Sequence, residues 1–124
     1  MAIQRANLSW IIYRGDTFWK RYQLLKGDDV EDPNAPPVNL TGIELKGLAR
    51  IAPNDAKWFD IPINITDAAR GIYEIKLTPT ETTALGAQGA THSGRFDIQA
   101  KDTTTGDVFT FAIGSITVTD DYTY

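Results

Sequence analysis

The chain has 124 residues, with 12 Lys and Arg against 16 Asp and Glu for a net charge of −4, and at this size it predicts one domain able to bury about two-thirds of its unfolded surface without staples. The absence of cysteine excludes a disulfide framework, thiol catalysis and thiolate metal sites, and a single histidine, His92, excludes a multi-histidine metal centre. Scattered Lys and Arg argue against binding duplex nucleic acid, and no apolar run approaches the roughly 20 residues of a bilayer span, so a soluble, non-membrane chain made in the cytoplasm is predicted.

Short segments of period-two alternation, separated by turn residues, dominate the sequence, as in half-buried strands. In Leu8 to Tyr13, Leu8, Trp10 and Ile12 point one way and Ser9, Ile11 and Tyr13 the other. Arg14-Gly15-Asp16 interrupts this run before a second strand, Thr17 to Leu25, in which Trp19 shares a face with Arg21 and Gln23. Lys26-Gly27-Asp28-Asp29 supplies a turn, and Val30 to Pro37, with three of the six prolines, reads as an exposed loop. After the apolar anchor Val38-Asn39-Leu40-Thr41-Gly42, Ile43 to Ile51 alternates cleanly. A turn at Ala52 to Ala56 leads to Phe59, Ile61, Ile63 and Ile65, and Pro62 marks that strand as an edge.

Thr66 to Gly71 turns the chain into the strand Ile72 to Leu77. Thr78-Pro79-Thr80-Glu81 then carries a Thr N-cap, a first-turn proline and a Glu placed to close a capping box, predicting a short helix from Pro79 to Leu85. Gly86 to Gly94 is small and polar and reads as a flexible loop holding His92. A strand from Arg95 to Ala100, a hairpin turn at Asp102 to Asp107, and two last strands, Val108 to Ile113 and Ser115 to Thr119, complete the pattern. Seven or eight short strands and one helical turn predict an all-β sandwich with Greek-key connections, formed as a single domain over residues 1–124.

The motifs that carry chemistry have plainer structural readings. Arg14-Gly15-Asp16 matches the integrin-binding tripeptide but lies between apolar strands, where Gly15 serves a bend. The sequons at Asn7, Asn39 and Asn64 have no secretory context. Asp28, Asp29, Glu31 and Asp32 lack the spacing of a calcium loop and read as a solvated acidic segment, as do Asp102, Asp107, Asp120 and Asp121 at turns. His92 beside Ser93 lacks the nucleophile elbow of a hydrolase, so no enzyme, cofactor or metal site is predicted. Among the three tryptophans, at least one is expected in the core, and Trp19 and Trp58 are the candidates for exposure. The candidate interface residues are Trp19, Arg21, Trp58, Phe59, Ile61 and Ile63, with the edge from Phe59 to Ile65 open to strand addition.

Several of these motifs occur in a familiar order. A strand leading into Arg14-Gly15-Asp16-Thr17-Phe18, then Val38-Asn39-Leu40-Thr41-Gly42 before an alternating strand ending in Arg50, resembles small tail-associated proteins of tailed bacteriophages and prophages. Gly71-Ile72-Tyr73, Leu77-Thr78 followed by Glu81-Thr82 and Leu85, Phe96-Asp97-Ile98 and Gly114-Ser115-Ile116-Thr117-Val118 extend the likeness. They are similar to the N-terminal domain of upper baseplate proteins of phages that infect Gram-positive bacteria. The resemblance implies an immunoglobulin-like sandwich in a virion protein of the tail or baseplate. Such a protein is non-catalytic, binds other virion proteins and can form a homo-oligomer. A carbohydrate-binding module for a host glycan, using Trp19, Trp58 or tyrosines, is the alternative expectation.

Overall fold

The computed structural model describes residues 4–27, 35–52 and 56–120. The acidic residues Asp28, Asp29, Glu31 and Asp32, the turn residues 53–55, and Asp121 with the tail after it lie outside the described residues. The chain forms β1 (Ala6–Tyr13), β2 (Phe18–Gln23), β3 (Ile43–Ile51), β4 (Ala56–Ile61) and β5 (Ile63–Asp67). It continues through β6 (Ile72–Leu77), the helix α1 (Pro79–Thr83), β7 (His92–Asp102) and β8 (Val108–Thr119). One sheet has the order β1-β8-β7-β3-β4 and the other β2-β6-β5.

The predicted all-β sandwich is therefore the fold. Strands β2, β6 and β5 facing β3, β7 and β8 reproduce the two-sheet order of an immunoglobulin-type Greek key, with β4 added beside β3. β1 departs from the constant-type arrangement by leaving β2 and pairing parallel to β8, from Ala6 opposite Ala112 to Tyr13 opposite Thr119. The first and last strands of the fold thus lie side by side.

Three strand assignments change. The run from Phe59 to Ile65 is two strands in different sheets, because Pro62 has no N–H to give to a ladder and the chain crosses between sheets there. Both halves are edge strands, as the proline predicts. Conversely, Val108 to Thr119 is one continuous strand: Gly114 stays in the ladder, opposite Leu8 on one side and Phe96 on the other. β7 also begins at His92 rather than Arg95, so His92 leaves the expected loop, becomes half-buried and accepts a hydrogen bond from the Ala87 N–H at Nε2.

The inward positions of each strand supply the core. Trp10 stacks on Phe96 with ring centroids 3.9 Å apart and lies 5.3 Å from Phe18 of the opposite sheet, so one indole ties the two layers together. Its N–H donates to the Tyr22 hydroxyl at 2.8 Å, giving the buried polar atom a partner. Each of these rings contributes about 1.5–3 kcal/mol by leaving water. Burial raises the Tyr22 hydroxyl above its ordinary pKa of 10.0, with the Trp10 bond opposing the shift. Tyr73, packed edge-on to Phe111, is raised further by burial and then by the neighbouring Tyr22.

Local chemistry sets the connections. Val38 and Leu40 are buried, and their N–H groups donate to the carbonyls of Leu24 (2.8 Å) and Ala68 (2.7 Å), pinning the long β2–β3 connection against the short turn before β6. Gly71 closes that turn at φ +70°, with the carbonyls of Leu24 and Val38 so near that a side chain would come within 2.7 Å of both. The predicted capping box forms at α1: Thr78 accepts from the Glu81 N–H at 3.2 Å, and Glu81 accepts from the Thr78 N–H at 3.0 Å. The helix ends at Thr83, two residues before the predicted end.

Candidate interaction surface

The candidate residues named from sequence do not assemble into one patch. Trp19 is 52% exposed on the outer face of the three-stranded sheet, opposite Lys76, and Arg21 stands beside it opposite Glu74. Trp58 sits at the opposite end of the other sheet, as the extra residue of a bulge where the β3–β4 register shifts between Ala49 and Arg50. It is half-buried rather than exposed, because its ring meets Phe59 edge-on and its N–H donates to the Leu85 carbonyl at 2.9 Å. Phe59 and Ile63 are half-buried against the core, and Ile61, at 5% exposure, belongs to it. These three share the inward register of their strands, which withdraws Ile61 from the surface altogether.

The Arg14-Gly15-Asp16 corner is likewise a structural joint. The Gly15 N–H donates to the Thr82 hydroxyl oxygen at 3.1 Å, and that hydroxyl lies 2.8 Å from the Asp16 carbonyl. Arg14 forms an ion pair with Asp120 at 2.8 Å, with both side chains mostly covered. A tripeptide held in this way is not the projecting tip an adhesion ligand presents.

The apolar surface lies elsewhere. Of the five exposed large hydrophobics among the described residues, four, Ile11 and Tyr13 on β1 with Val108 and Ile113 on β8, are between 47% and 59% exposed and face outward from the five-stranded sheet. The same sheet face holds a depression of about 530 Å³ lined by Asn7, Leu48, Arg50, Arg95, Asp97 and Ile113 together with Phe96 and Gly114. Arg95 stands opposite Arg50, and Arg50 opposite Lys57, so three basic side chains form a row across β7, β3 and β4. Lys57 is paired with Asp60 at 3.0 Å. Exposed apolar side chains on the same face as a polar, basic depression suit a protein surface, whose anchors are apolar or aromatic and whose rim is polar.

Part of this surface has a sequence signal. In Leu8 to Tyr13 the second face, Ser9, Ile11 and Tyr13, is apolar at two of its three positions, which fits either a central strand or an edge with something to cover, and only the sheet order distinguishes them. Among the described residues no group of three or more His, Asp and Glu is placed to hold a metal, and no helix is long and apolar enough to cross a membrane.

No protein-family model matches this chain, and no curated protein matches it. Among solved structures it is similar to part of a family 123 glycoside hydrolase from Clostridium perfringens, a protein studied for glycolipid glycan hydrolysis. The two are 12% identical, with a TM-score of 0.39, over 93% of this chain and 23% of that one, so this chain spans less than a quarter of that enzyme's length.

Proposed function

We propose that the protein is a non-catalytic structural or adaptor module of a bacteriophage or prophage virion, in the tail or baseplate, that works by protein–protein interaction. The observation that carries the interaction reading is the outward, exposed placement of Ile11 and Tyr13 on the edge strand β1, with Ile113 and Val108 on the same sheet face. Leaving several large apolar side chains in water on one sheet face costs solubility unless a partner covers them. The tail assignment draws on the motif order of the sequence. In the fold those motif residues act as joints: Gly15 and Asp16 lock onto Thr82, and Val38 and Leu40 anchor the β2–β3 connection. A family sharing them would share this frame while varying its outer faces.

Co-purification of the tagged chain with the products of its neighbouring genes, together with mass spectrometry of purified particles, tests this reading. Tail or baseplate components bound to the chain, and the chain present in particles, are the expected result. A particle proteome without the chain, and no complex with any neighbour, would overturn it. The exposed Trp19, flanked by Arg21 and opposite Lys76, favours host-glycan binding as the second reading. Quenching of tryptophan fluorescence by host polysaccharide, lost in Trp19→Ala, is its signature.

A further inference from the structure

The four sheet edges are not equivalent. At the β2 edge Lys20 occupies an inward register position opposite Ile75 yet stays exposed, and Arg21 follows it. β4 carries Lys57, bulges at Trp58 and ends at Pro62. β5 begins directly after Pro62, and its register shifts between Ile65 and Asp67. Charges, bulges and prolines of this kind are how natural sheets block the addition of a further strand. β1 has none of them. Ala6–Tyr13 contains no charged residue and no proline, and its register with β8 is unbroken over all eight residues. In a parallel ladder alternate residues turn both N–H and C=O to the same side, so half of the residues in a strand about 27 Å long present these groups to the open edge.

We infer that β1 is the contact of a two-fold dimer, in which β1 of one copy pairs antiparallel with β1 of a second copy and joins two five-stranded sheets into one of ten strands. The inference rests on the interaction-module reading and names its partner. β1 carries no charge with which to select a foreign strand. Around a two-fold axis the residues nearest the axis meet their own images, where a charge would be repelled by its copy, and the uncharged centre of β1 removes that repulsion. With the axis at Trp10, Asn7 lies opposite Tyr13, Leu8 opposite Ile12 and Ser9 opposite Ile11. The outward Asn7, Ser9, Ile11 and Tyr13 of both copies then form one uncharged strip, with Ile11 beside Ser9 and Tyr13 beside Asn7 of the second copy. The charges that flank the strand are engaged within their own chain: Arg14 with Asp120 at 2.8 Å, and Arg5 over the Phe109 ring at 4.7 Å.

Light scattering after size exclusion, and sedimentation velocity over roughly the micromolar to submillimolar range, test the inference on the wild type, Ile11→Lys and the off-edge control Val108→Lys. The wild type and the control are expected to approach twice 13.7 kDa as concentration rises. Ile11→Lys, which places two ammonium groups near the axis, is expected to raise the dissociation constant at least about tenfold. Circular dichroism confirms that the variant is folded, and hydrogen exchange on the wild type needs no variant: alternate β1 amides should gain protection with concentration. A wild type that stays monomeric, an Ile11→Lys variant that dimerises as well as the wild type, or β1 exchange independent of concentration would each overturn it. A monomer that still captures a tail component defeats the self-pairing and leaves the module reading standing. A dimer that captures no virion component does the reverse.

Discussion

Thr82 and Gly15 meet across 67 residues of sequence: the Gly15 N–H donates to the Thr82 hydroxyl oxygen at 3.1 Å, and the same oxygen lies 2.8 Å from the carbonyl of Asp16. Thr82 is fully buried on the short helix α1, so the corner between β1 and β2 is fastened to the segment that carries the chain from β6 to β7. Two inter-sheet connections are joined through one side chain.

Replacing that hydroxyl by a methyl group keeps the volume and strands the polar atoms of the corner. Thr82→Val is expected to lower stability by about 1–3 kcal/mol, read from the urea midpoint, because a buried donor and acceptor lose their partner. Thr82→Ser should retain most of it. An unchanged midpoint in Thr82→Val would show that the corner is held without the hydroxyl.

Gly114 is required by packing. A Cβ there would collide with the Leu8 carbonyl and lie 2.7 Å from the Phe96 ring, which is the ring stacked on Trp10. Gly114→Ala should cost about 1–3 kcal/mol as an overpacked core site and disturb the near-ultraviolet circular dichroism of the Trp10–Phe96 pair. A variant with wild-type stability and spectrum would mean that β1 and β8 separate at little cost.

The alkaline limb of stability should depend on Tyr73. Its folded pKa lies above the ordinary 10.0, chiefly through burial. Below pH 10 both folded and unfolded states keep the proton and the group is silent. Above it the unfolded chain binds fewer protons than the native one, so stability falls as pH rises toward the folded value. Tyr73→Phe should flatten the loss of stability above pH 10, measured by chemical unfolding at a series of alkaline pH values. An identical slope in wild type and variant would contradict it.

Arg14 and Asp120 fasten together the adjacent ends of the parallel strands β1 and β8. Asp120 also accepts from the Gly89 N–H, so it joins the loop after α1 to the end of β8. A double-mutant cycle with Arg14→Met and Asp120→Asn should give a coupling of about 0.5–3 kcal/mol. Because both side chains are largely shielded from solvent, that coupling should persist at high salt. A coupling near zero, or one abolished by salt, would place the pair among ordinary surface ion pairs.

Features that depend on neighbours a few residues apart were legible in the sequence. The alternation of Leu8, Trp10 and Ile12 set the buried face of β1, Thr78 and Glu81 set the start of α1, and Pro62 marked an edge, because side-chain period, capping and a missing N–H all act locally. It also placed Trp19 outward with Arg21. Tertiary structure alone decided which strands became neighbours. Leu8 pairs with Gly114 across more than a hundred residues, the chain changes sheets at Pro62, Trp58 turns from the surface to reach Leu85, and the Arg14 corner closes on Thr82. An inward or outward period does not name its partner strand. That choice belongs to the packing of both sheets at once, which left the uncharged β1 at an edge with its second face, Ile11 and Tyr13, in water.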